Sequence, residues 1–155
     1  MTIVEEIRRE LGGEWLPVLY ADKVRTLRTR AYSLDIPERE NQVEIMHTLL
    51  GVELKVGRSR FACPDLATAR YIRIFARCGC RDFAVPYDIT RISSIADELE
   101  TAWQRMLLLV TAREPRGDEK RLRSQVIKAV RLDIQEIGPG EKMPEFTQST
   151  KQRGS

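Results

Sequence analysis

The residues of this chain that come closest to chemistry lie between Gly51 and Asp65, in the stretch GVELKVGRSRFACPD. Glu53 and Lys55 are two apart, and Val52, Leu54 and Val56 alternate with them. That alternation is a half-buried strand, and it places the carboxylate and the ammonium on one face. A carboxylate that holds a divalent metal, beside a lysine that steadies the attacking water, suits phosphodiester cleavage. The soft ligands are three cysteines and one histidine: Cys63, Cys78, Cys80 and His47. They lack a C-x₂-C pair, and free cysteines commonly behave as small apolar residues, so no metal centre and no cofactor is expected. No Ser-His-Asp or Cys-His arrangement stands in a recognised context.

With its Glu-x-Lys strand followed by a helix and another strand, the segment from Val52 to Val85 resembles the edge of the PD-(D/E)xK nuclease family. The resemblance implies metal-dependent nucleic-acid cleavage by Glu53 and Lys55. The family also carries an acidic residue on the preceding strand, and here the pattern departs. Pro64-Asp65 follows the Glu-x-Lys, and the nearest upstream candidate, Asp35, is separated from Glu53 by a segment that reads as a helix. Alternating polar residues are also what the exposed face of a hairpin requires. The expectation is a solvent-facing Glu53 and Lys55, with catalysis as the alternative.

A second candidate comes from a near-repeat. Phe61-Ala62-Cys63-Pro64 and Phe83-Ala84-Val85-Pro86 are almost copies, and Asp65 and Asp88 follow them. Each copy reads as a strand that stops at proline and hands over to a capped helix, which is how a parallel βαβα arrangement is written. Their shared edge would gather Cys63, Pro64, Asp65, Tyr87, Asp88, Thr90 and Arg91 as a ligand site, since ligands bind where parallel strands end. The competing reading is that both aspartates are helix caps. No glycine-rich loop is present to cradle a phosphate.

The third candidate is electrostatic. Net charge is +3, yet arginine outnumbers lysine 20 to 6, and arginine is the better residue for bidentate phosphate contacts. In ADKVRTLRTRAY, read as a short helix over 21–32, Lys23, Arg25, Arg28 and Arg30 form a basic face that could contact nucleic acid. A second helix over 37–50 and the hairpin would imitate a winged helix. Glu38, Glu40 and Glu44 on that second helix oppose a recognition role there.

The elements that position these residues are mostly helical. Ile3, Val4, Ile7 and Leu11 predict a helix ended by Gly12-Gly13. Asp65 caps a helix that ends at Gly79, and Ile92, Ile95, Leu99, Trp103, Met106 and Val110 form the buried face of a long one. Leu122, Val126, Ile127, Val130, Ile134 and Ile137 make the stripe of a C-terminal amphipathic helix. The expected class is α+β: helical, with a central sheet of about three strands built from the hairpin 52–63 and a strand 82–86. Residues 1–113 form one globular domain, 114–137 an appended helix and 138–155 a flexible tail. The longest apolar run, Met106 to Val110, is too short to span a membrane. An odd cysteine count and an acidic, amphipathic start predict a reduced, cytoplasmic protein. The functional expectation is a non-catalytic binding or regulatory protein with a protein partner or self-association through the C-terminal stripe, and nucleic acid as a further possible partner.

Overall fold

The computed structural model describes residues 1–113 and 118–140; residues 141–155, most of the expected tail, lie outside the described residues. Helix α1 (Ile3–Leu11) opens with a capping box in which Thr2 and Glu5 satisfy each other's backbone donors. A 3₁₀ turn, Gly12–Glu14, leads into α2 (Leu16–Leu19), which runs on as one π turn over Tyr20–Val24. Five strands follow or interleave: β1 (Thr29–Ser33), β2 (Val43–Thr48), β3 (Gly51–Val56), β4 (Ser59–Cys63) and β5 (Asp82–Pro86). Helix α3 (Leu66–Cys78) stands between β4 and β5, and α4 (Ile89–Arg113) and α5 (Glu119–Ile137) complete the described chain. The fold is α+β, as expected.

The strands form two antiparallel sheets, β2-β3-β4 and β1-β5. Three expectations are corrected here. The segment 37–50 holds a strand, β2, in place of a helix. Its apolar residues fit both periods, but Leu49 and Leu50 are fully exposed in the hairpin turn, while Val43 and Ile45 pair with Val56 and Leu54. The basic segment 21–32 is helical only to Val24; TRAYS then alternates as β1 because Phe83, Ala84 and Val85 supply a partner fifty residues away. For the same reason strand 82–86 does not join the hairpin's sheet, and the two near-repeat strands are not neighbours.

The hairpin itself is as read. Gly57 sits at φ 60° and Arg58 keeps a negative φ, which is what a two-residue turn with glycine first requires. Asp65 caps α3 by accepting from the Thr68 amide at 2.7 Å, and Gly79 ends it in the left-handed region. A Cβ at Gly79 would stand 2.4 Å from the Arg39 backbone, so glycine is required there twice over.

Strand β5 is buried on both faces, and one of its edges has no strand beside it. Two phenols take that place. The Ala84 amide donates to the Tyr20 hydroxyl (2.8 Å), and the Tyr71 hydroxyl donates to the Ala84 carbonyl (2.6 Å). Tyr20 in turn donates to the Gly138 carbonyl (2.7 Å), tying the end of α5 to the core. Burial pushes the Tyr20 phenol up to about 12 and the Tyr71 phenol well above its ordinary value. The Phe75 and Phe83 rings stack at 4.5 Å beneath them.

Helices α3 and α4 run parallel. Arg70 pairs with Asp97 and Arg73 with Glu100, each across 27 residues. Both N-termini therefore open at the same end of the molecule, though no parallel sheet lies behind them. The apolar stripe of α5 (Leu122, Val126, Ile127, Val130, Ile134) is buried in the same core as α1 to α4. No helix among the described residues is long and apolar enough to cross a membrane.

Candidate functional site

Glu53 and Lys55 lie together on the solvent face of the β2-β3-β4 sheet. Glu53 stands between Met46 and Ala62 across the strands, and Lys55 between Glu44 and Arg60. The Arg60 guanidinium lies 3.5 Å from the Glu53 carboxylate and neutralises it. Asp35 is not on this sheet, and the only carboxylate near Glu53 by register is Glu44, on the diagonal. No group of three histidine, cysteine or acidic residues among the described residues could hold a metal.

The cysteines are dispersed or sealed. Cys78 and Cys80 are fully buried, and a hydrogen bond from the Cys78 thiol to its neighbour Cys80, then burial, drives the Cys78 thiol well above its ordinary value. Burial, and Asp65 nearby, pushes Cys63 up to about 11. Neither Cys63 nor Cys78 is a ready thiolate. His47 faces solvent on edge strand β2.

Pairing of β1 with β5 joins two groups of residues that stand far apart in sequence. Thr29 opposes Pro86, so Arg28 and Tyr87 meet just beyond the ribbon's end, where the Tyr87 amide donates to the Arg28 carbonyl at 3.1 Å. The Arg28 guanidinium lies over the Tyr87 ring, 5.2 Å from its centroid, and Tyr87 as a whole residue is 37% exposed. Arg30, two residues on, shares the face of Arg28 and is exposed. Arg91, one turn into α4, and Lys23, on the π turn, are also exposed. None of these four cations pairs with a carboxylate among the described residues. Arg25 stands apart from them. It is half-buried against Gly140, where a Cβ would meet its Nη1 at 2.8 Å.

Two acidic residues at this end, Asp65 and Asp88, cap helices. Asp88 accepts from the Thr90 amide (3.0 Å) and hydroxyl (2.6 Å), and those bonds hold its carboxyl below the usual carboxylate range. Asp65 caps α3 by accepting from the Thr68 amide. Tyr87, Asp88, Thr90 and Arg91 thus lie beside the basic segment, a juxtaposition that local periodicity could not reveal. The useful signal was the pattern of TRAYS, whose alternation marks a strand in need of a partner.

A second arginine-rich region is of another kind. Two adjoining hollows of about 400 and 670 Å³ share Glu40, Asn41, Gln42 and Arg123. Arg123 Nε reaches both Glu40 oxygens at 3.0 Å, and Arg77 reaches both Glu100 oxygens at 3.1 Å while lying over Trp103. The buried Asn41 amide donates to the carbonyls of Pro37 and Ala76. Every arginine here is neutralised by a carboxylate.

No family profile matches this chain, and no curated protein or solved structure is similar to it.

Proposed function

We propose that this is a non-catalytic binding protein whose contact surface is the Arg28–Tyr87 face and whose ligand is a polyanion. One observation carries the reading. Nine arginines among the described residues pair with carboxylates, whereas Lys23, Arg28, Arg30 and Arg91 are exposed and make no ion pair among the described residues, and Arg28 lies over Tyr87, itself partly open to solvent. Other unpaired cations, such as Arg9 on α1, Arg58 in the hairpin turn and Lys128 on α5, are on separate elements with no exposed aromatic partner. Phosphate or sulfate groups would supply the missing counter-charges. Binding without catalysis is favoured because Glu53 is offset by Arg60 and no metal-holding set is assembled among the described residues. A protein partner for the C-terminal stripe is less favoured, since the chain's own core covers that stripe.

The test is salt dependence of binding to a labelled oligonucleotide. Four phosphate contacts predict a loss of affinity of about a hundredfold between roughly 50 and 200 mM salt. Glu53→Ala should leave affinity unchanged, and replacing Arg28 and Arg30 by alanine should flatten the salt response. Salt-independent binding, or none at the lower salt, would overturn the reading.

A further inference from the structure

Resting on that reading of the face, we infer that its ligand is single-stranded nucleic acid, with a base stacked on Tyr87 and phosphates following Arg28, Arg30 and Arg91. The cations alone would accept any polyanion. The ring beside them narrows the class. Arg28 already lies over the Tyr87 ring, and the part of the ring left open supplies stacking energy only to a flat partner, which a sulfated sugar or polyphosphate is not. A duplex has bases, but their faces are hidden in the helical stack and only their edges reach the grooves.

The platform is also rigid. The Tyr87 backbone is held by its bond to Arg28, and Pro86 before it is buried and paired with Thr29. Stacking then costs little ordering of the protein. Ile89, 68% exposed two residues on, offers an apolar contact to the same base or the next. Arg28, just before β1, and Arg30 on it share one face about 6.6 Å apart, so one extended backbone can meet both in succession.

The shape of the region opposes a duplex. Groove reading needs an element that protrudes, a helix or a two-stranded ribbon. Here β5 is buried on both faces and cannot enter a groove. Asp88, just before α4, keeps its charge through its bonds to Thr90 and would repel a phosphate crossing it. The free cations are on the β1 side and beyond Asp88, which leaves a path past the ring for one strand.

Fluorescence anisotropy on the full chain tests this with three probes: labelled oligo(dT) of about 15 nucleotides, a duplex of equal length, and heparin, which has no bases. The expected result is tighter binding of oligo(dT) than of the duplex. Tyr87→Ala should weaken oligo(dT) binding about 5- to 150-fold and leave heparin binding unchanged, while Tyr87→Phe retains the affinity. Far-UV circular dichroism of each variant checks that it is folded. If Tyr87→Ala affects no probe, or the duplex binds as tightly as the single strand, base stacking is refuted and the polyanion reading stands. If no probe binds at about 50 mM salt, both fall.

Discussion

The Arg28–Tyr87 face and the groove around Arg77 and Trp103 are built from the same parts. Each lays a guanidinium over an aromatic ring, at 5.2 Å in the first and 5.7 Å in the second. They differ in what surrounds the pair. Arg77 is held by both oxygens of Glu100, and Trp103 is 3% exposed. Arg28 has no carboxylate partner among the described residues, and its aromatic partner Tyr87 is 37% exposed. Arginine content alone therefore says little about ligand binding. The location of the carboxylates decides: where they sit beside the cation, the pair fastens helix to helix, and where they are absent, the cation is free for an outside anion.

Variants can break that comparison, beginning with the largest effect. Trp103→Ala should cost about 3–5 kcal/mol of stability in urea unfolding, because a buried aromatic leaves a cavity. Tyr87→Ala should stay within about 0.5 kcal/mol of the parent in the same assay. Glu100→Ala should cost about 2–4 kcal/mol, since it strands both Arg73 and Arg77 in a half-buried setting. Tyr71→Phe removes the donor to the Ala84 carbonyl and should cost about 1–3 kcal/mol.

Alkaline titration sharpens the contrast between buried and exposed phenols. Tyr20 is raised from 10.0 to about 12 in the folded chain. From pH 10 upward the unfolded chain gives up this proton while the folded chain keeps it, so protons bound fall first in the unfolded state and stability declines. Its contribution is complete below pH 10 and is lost as pH rises to about 12. Thermal unfolding across that window should show a falling melting temperature. The smallest effect concerns Arg28→Ala, which should barely alter stability while reducing the salt slope of oligo(dT) binding by about 0.7.

The comparison also explains what could be read from the sequence. The strongly periodic helices were legible, as were the caps at Asp65 and Gly79 and the hairpin 52–63, because neighbours in sequence determine them. Strands β1 and β2 were not. Val24, Leu27 and Ala31 fit a helical period, and so do Ile45, Met46 and Leu49. The choice was made by partners elsewhere, Phe83 to Val85 for β1 and Val52 to Val56 for β2. Arg28 and Tyr87 were each visible as candidates. Their contact depends on a pairing across more than fifty residues, which no local pattern encodes.

The most direct test of the central claim is an amide chemical-shift titration of the isotopically labelled chain with oligo(dT) at low salt. The account predicts perturbations centred on Lys23, Arg28, Thr29, Arg30, Tyr87, Ile89 and Arg91, fading as salt is raised. Perturbations centred instead on Glu40 to Glu44 and Arg123, or on the Glu53–Lys55 face, would contradict it.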